Sequence, residues 1–190
     1  MILYVDYEHA STYDKPQTDW LLAARTRIAY RLQDLTGQRC ILQRYTQVDD
    51  GIVEELGLRA VFISGNGADR SAYDDEDLAG LAAIIRSGRV PVFGFCGGYQ
   101  LMGEVLGATY GRIGRLADGD EDHHPMYQPG WRTELGYGPV ELVGEHPMQN
   151  GMGDAPVFRH AHAFELKDLP SGFTNLARTE VSENQWMAHE

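Results

Sequence analysis

The stretch Val90-Pro-Val-Phe-Gly-Phe-Cys96-Gly-Gly-Tyr-Gln-Leu-Met102 constrains this chain more than any other. Val90, Val92, Phe93 and Phe95 favour a strand and run into a cysteine; two glycines follow, and Leu101, Met102, Val105 and Leu106 then recur at helical spacing. The order is strand, sharp turn, helix. A side chain at such a turn joins neither hydrophobic face. It is presented at the carboxyl edge of a parallel sheet, beside the free N–H groups of a helix amino terminus. Those amides and the helix dipole favour an anion, so a thiol there ionises more readily than an ordinary cysteine. Cys96 is therefore a candidate nucleophile. A lone cysteine is also a common small core residue, and strand, turn and helix alone leave both readings open.

The rest of the first half repeats the same alternation. Residues 2–5 form a short apolar strand, followed by a polar loop from Tyr7 through Glu8, His9 and Tyr13 to Pro16. Thr18 is placed to cap a helix whose stripe is Trp20, Ala24, Ile28 and Leu32, widened by Leu21 and Leu35 and stopped by Gly37. A strand is predicted over 40–45, a short helix over 49–56, and a third strand over 59–64 that runs into Gly65-Asn-Gly-Ala-Asp69. Asp74 or Asp75 then caps a helix carrying Leu78, Leu81, Ala82 and Ile85, with Gly88 as its stop. With the 90–95 strand, this alternation predicts a parallel sheet covered on both faces. Ligands of such sheets bind at the carboxyl ends of the strands, where both Ser64 to Asp69 and Cys96 fall.

After Thr109 the character changes. Residues 111–138 are rich in glycine and charge and include Asp118-Gly-Asp-Glu-Asp-His-His124. Adjacent histidines point apart on a strand and make no helical i,i+4 pair, so this segment reads as a solvated loop and no metal is expected. Strands are predicted over 139–143, 157–164, 175–179 and 185–189, with His160 and His162 on one face of the second.

Length and composition bound the function. The 190 residues suit one domain over 1–190, and the 43% hydrophobic and 23% charged shares are those of a soluble globular protein. A formal charge of −12 argues against a nucleic-acid partner, which would demand a face that neutralises phosphates. No apolar run reaches membrane-spanning length, and the amino terminus does not read as a signal peptide, so the expected location is the cytoplasm, with no membrane partner. Cys40 and Cys96 make no disulfide framework or zinc pattern and fit a reducing compartment.

The pattern Gly94-x-Cys96-x-Gly98-x-Gln100 resembles the nucleophile motif of the class I (triad-type) glutamine amidotransferases. Phe62-Ile-Ser-Gly-Asn-Gly-Ala-Asp69 is similar to that family's Ser-Gly-Gly-Pro or Ser-Asn-Gly-Pro loop. Glu134-Leu-Gly136 and His146-Pro-Met-Gln-Asn-Gly151 are similar to its Glu-Tyr-Gly and Pro-Leu-Phe-x-Gly-Leu segments. His162, Leu169-Pro-x-Gly-Phe173 and Leu176-Ala-Arg-Thr179 follow the Ser-His, Leu-Pro-x-Gly-Phe and Ala-x-Thr stretch of the guanylate-synthetase branch. The likeness runs nearly the whole length and is loosest over residues 111–130. It implies an α/β, flavodoxin-like fold, mostly parallel, with helices on both faces, a nucleophile elbow and a small antiparallel region in the C-terminal half.

The implied chemistry is hydrolysis of glutamine's side-chain amide through a Cys96 thioester, without a cofactor, to supply ammonia to a synthetase subunit or domain. The oxyanion would be held by the N–H of Gly97 and one from the loop at Asn66 or Gly67; Gln100, Gly65 and His162 match substrate-contact positions. The family's base and its orienter come from a His-Pro-Glu motif, and Ala188-His189-Glu190 stands about where the strand before that motif belongs. Three explanations remain: a truncated chain, an improvised base from His160 or His162 with Glu165, or a non-hydrolysing relative. A stand-alone γ-glutamyl hydrolase and a silent binding or regulatory module are the alternative functions.

Overall fold

The computed structural model describes residues 1–189. Its first compact unit, Met1–Val105, holds β1 (Ile2–Asp6), α1 (Ala10–Tyr13), α2 (Asp19–Thr36), β2 (Cys40–Arg44), α3 (Ile52–Glu55), β3 (Ala60–Ile63), α4 (Asp75–Ser87), β4 (Val92–Gly94) and α5 (Gly97–Val105). All four strands are parallel, in the order β2-β1-β3-β4, with Ile2 opposite Cys40 and Ala60, and Val61 opposite Val92. The order reverses between β1 and β3, so the loops leaving those two strands flank the crevice where doubly wound sheets hold ligands.

Leu3, Val5, Val61 and Ile63 are fully buried in the sheet, and Leu81 and Ile84 of α4 are equally inaccessible. Helix α2 packs on β2, α5 on β4, and α4 against α5. Gly37 and Gly88 end α2 and α4 in the left-handed conformation that the helix-stop reading requires.

Helix α2 departs from the predicted stripe. Its buried residues are Arg25 and Ala29, while Trp20 and Leu35 are 63% and 64% exposed and Ile28 is also exposed. An ion pair between Arg25 and Asp6 at the end of β1 turns the helix away from its most hydrophobic side. Thr18 does sit at the cap position, but its hydroxyl bonds to the Thr12 and Lys15 carbonyls instead of an α2 amide.

The second unit, from Leu106 on, is antiparallel. It holds β5 (Tyr110–Arg112), β6 (Glu134–Pro139), β7 (Glu141–Leu142), β8 (Val157–His162), β9 (Phe164–Leu166), β10 (Phe173–Arg178) and β11 (Trp186–His189). β10 lies between β11 and β7, β5 pairs with β9, and β6 pairs with β8. Two strand predictions need correcting here, and one strand was not predicted. Residues 134–139 form the unpredicted strand β6; the predicted 139–143 strand is split at Val140 between β6 and β7, and the predicted 157–164 strand breaks at Ala163, in each case because the two pieces serve different partners. Two glycines and a proline give β6 little strand propensity of its own, and the register with β8 supplies it. The acidic segment after Asp118 is a loop around Asp122, which accepts the N–H groups of His124 and Gly130, and His123 is exposed.

Candidate functional site

The turn between β4 and α5 is built by three close approaches. Cys96 has φ 51°, the one positive φ among the described non-glycine residues. Strain of this kind persists only where the surroundings enforce it. A Cβ at Gly94 would lie 2.5 Å from the Gly98 carbonyl group, and one at Gly98 would lie 2.6 Å from the Ile63 carbonyl oxygen. A Cβ at Gly97 would overlap the Asn66 side-chain oxygen. The strand, the helix and the loop after β3 thus meet where only hydrogen fits, and the cysteine between them is thrown outward. Cys96 is exposed, whereas Gly97 and Gly98 are buried.

The loop after β3 lies against this turn. A Cβ at Gly65 would stand 3.2 Å from Cys96 Cβ and 3.7 Å from its sulfur. The Gly65 carbonyl accepts hydrogen bonds from the Arg25 guanidinium at 2.7 Å and the Ser64 hydroxyl at 2.8 Å. Since the peptide is trans, the N–H of Asn66 is directed away from those two donors. The Asn66 backbone nitrogen lies 3.2 Å from the position a Cβ would take on Gly97. Gly97 opens α5, so its own N–H is one of the helix's orphan donors. The turn and the loop therefore set two backbone amides beside the thiol-bearing residue.

A buried polar network behind the loop, which the sequence did not reveal, holds it in place. Asp6 takes Arg25 Nε at 2.8 Å and the Tyr13 hydroxyl at 2.7 Å. Glu8 is buried and accepts the N–H groups of Gly67 at 2.7 Å and Ala68 at 3.2 Å, together with the Thr12 hydroxyl. The Gly67 amide is thereby committed to Glu8. Tyr7 N–H donates to Ser64, and the Tyr73 hydroxyl donates to the Tyr7 carbonyl while accepting from Asn66 Nδ2. Burial pushes the Tyr73 phenol well above its ordinary value. The available signal was Asp6-x-Glu8 directly after a buried strand, two carboxylates where a sheet edge needs acceptors.

The remaining predicted site residues fall on two elements of different kinds. Gln100 is on the first turn of α5, its N–H bonded to the Cys96 carbonyl at 3.0 Å. His160 and His162 lie in the antiparallel unit, on the face of β8 that carries them towards Glu134 of β6. Glu134 Oε2 is 3.0 Å from His162 Nε2 and 3.9 Å from His160 Nδ1, and it accepts from Gln185 Nε2. Burial raises the Glu134 carboxyl, but the approach of His162 and Thr179 and the two imidazoles outweigh it and hold the carboxyl below its ordinary value. Glu165 pairs with Lys167 and not with either histidine, because β9 turns it towards β5.

With this geometry in place, the comparisons with known proteins decide the family. A model described as glutamine amidotransferase class-I matches residues 20–190, spanning both units. This chain belongs to the class I glutamine amidotransferase family. It is 30% identical over 189 residues to a glutamine-hydrolysing GMP synthase of Phenylobacterium zucineum, covering 97% of this chain and 31% of that protein. The chain thus spans about a third of that relative's length. It is also 30% identical over 150 residues to a glutamine-hydrolysing GMP synthase subunit from Methanopyrus kandleri, covering 79% of this chain and 68% of that one. Among solved structures, a glutamine amidotransferase from Thermotoga maritima superposes with a TM-score of 0.66 at 18% identity, over 100% of this chain and 71% of that one. At that identity the superposition speaks for the α/β fold.

Proposed function

We propose that this class I amidotransferase chain hydrolyses the side-chain amide of glutamine and passes the ammonia to a synthetase partner in the cytoplasm. The observation that carries the proposal is the strained Cys96 turn, with the Gly65 loop packed against it. Cys96 Sγ attacks the carboxamide carbon, and the carbonyl π electrons move onto oxygen as a tetrahedral oxyanion forms. The N–H groups of Gly97 and Asn66 receive that oxyanion, since the Gly67 amide is engaged by Glu8. On collapse the amide nitrogen takes up the proton given up by the Cys96 thiol and leaves as ammonia, and a thioester remains on Cys96. Water then cleaves the thioester to glutamate and the thiol. Gln100 and Gly65 border the bound glutamine. Neither His160 nor His162 is assigned as the base in this proposal; both lie beside Glu134.

The synthetase partner is supported by the relatives, which are described as GMP synthases or as one subunit of such an enzyme. Incubation with a diazoketone analogue of glutamine, followed by peptide mass analysis, tests the site. One adduct on Cys96, protected by excess glutamine, is expected. Labelling of Cys40 instead, or labelling that glutamine does not slow, would contradict the assignment.

A further inference from the structure

We infer that Glu134, His160 and His162 form a binding site for one divalent cation of the zinc class, joining β6 to β8. The three donor groups come from two strands, and their ligand atoms lie within 4.8 Å of one another. Register explains the convergence: Glu134 is directly opposite His162 in the β6–β8 ladder, and His160, two residues earlier, shares its face. The side chains are nearly closed off from solvent, at 11%, 9% and 15% exposed for Glu134, His160 and His162.

The bonding within this cluster is incomplete in a way that a cation would complete. His162 Nδ1 lies 3.0 Å from the Phe164 carbonyl, to which it donates, which leaves Nε2 as the ring atom facing Glu134. Nε2 of His162 lies 3.0 Å from a Glu134 carboxylate oxygen, His160 approaches the same oxygen through Nδ1 at 3.9 Å, and Nε2 of both rings is buried without a hydrogen-bond partner. Buried polar atoms left in this state call for a water or an ion. Among the described residues no lysine or arginine pairs with Glu134, so its charge also lacks a permanent cation.

Two imidazoles and a carboxylate suit zinc. Tetrahedral coordination at about 2.0–2.2 Å places ligand atoms about 3.3 Å apart. The two histidine-to-Glu134 separations, 3.0 and 3.9 Å, bracket that value, and all three ligand atoms lie within 4.8 Å of one another. A water would fill the fourth position. The hydrogen bond from His162 Nδ1 to a backbone carbonyl is the outer contact that fixes a metal-ligating histidine's tautomer. The inference is independent of the glutaminase reaction, for which it supplies no group.

Chelator-stripped Cys96→Ala chain, titrated with Zn2+ by calorimetry and with Co2+ by visible absorption, tests the site with the reactive thiol removed. One ion per chain is expected, with Co2+ bands of low coordination number and perturbed ring resonances of His160 and His162. Glu134→Gln and His162→Ala should weaken binding by more than about 100-fold, the upper end for losing merely an outer-shell partner. His123→Ala/His124→Ala should leave it unchanged. In case the ligand variants fail to fold, the thermal midpoint of the Cys96→Ala chain itself must rise on adding Zn2+. Absence of stoichiometric binding, or binding that persists in His160→Ala/His162→Ala, would overturn the site.

Discussion

Asp6 and Arg25 are 4% and 8% exposed, so neither charge is satisfied by water when the other is removed. Asp6→Ala should therefore destabilise the chain by about 3–5 kcal/mol in urea denaturation, and Asp6→Ala/Arg25→Met should recover much of that loss by removing the stranded cation. Equal stability of the single and double variants would contradict the ion-pair account. Arg25 also fixes the Gly65 carbonyl, and through that peptide the direction of the Asn66 N–H. Loss of one oxyanion donor costs about 2.7–4 kcal/mol of barrier, roughly 10²–10³ in rate. Arg25→Met should approach that loss in kcat, with the glutamine KM changed far less and the diazoketone still directed to Cys96. An equal rise in KM would place Arg25 in substrate binding instead. Neither role was legible in the sequence: Arg25 has the apolar Leu21, Leu22, Ile28 and Ala29 at i±3 and i±4, but its acidic partner lies on another element.

The turn joining β4 to α5 is the element best specified by its own residues. Gly98→Ala would force a methyl group to 2.6 Å from the Ile63 carbonyl oxygen and 2.8 Å from that of Ser64, both backbone atoms that cannot swing away. Gly97→Ala meets the side chain of Asn66, which can. Gly98→Ala is expected to lower the thermal midpoint strongly, whereas Gly97→Ala should mainly slow glutamate release by displacing the loop; the reverse order would contradict this packing. The turn was readable because strand, cysteine and glycines are contiguous. Strand β6 was not, because Glu134-Leu-Gly-Tyr-Gly-Pro139 becomes a strand only through pairing with β8, some twenty residues on. In the same unit, Asp168 accepts the Thr109 N–H and hydroxyl at 2.6 and 2.8 Å, which lowers its carboxyl below the ordinary value. A depressed carboxyl contributes stability above its unfolded value of about 3.9 and loses it as pH falls through the lower folded value. Asp168→Asn should flatten that part of the acid limb of a thermal-midpoint against pH curve, and an unchanged limb would contradict the clamp.

At the scale of the whole molecule, the alternation of the first hundred residues was enough to imply the parallel sheet, and motifs spread along the chain already pointed to the amidotransferase family. What stayed hidden were groups assembled from distant segments: the buried Asp6, Glu8 and Arg25 network, and Glu134 with His160 and His162. Sequence separation conceals such sites because neither helical nor strand periodicity links their members. If the chain feeds a synthetase, the amidation reaction of the assembled enzyme should require glutamine in the normal chain and should accept only added ammonium salt in Cys96→Ala. Loss of the ammonium-dependent reaction as well would place Cys96 in assembly or in the synthetase step. The most direct measurement is the initial rate of glutamate release from glutamine, compared between the chain and Cys96→Ala in the presence of that partner. The account predicts turnover in the first and a background rate in the second; an undiminished rate after Cys96→Ala would contradict it.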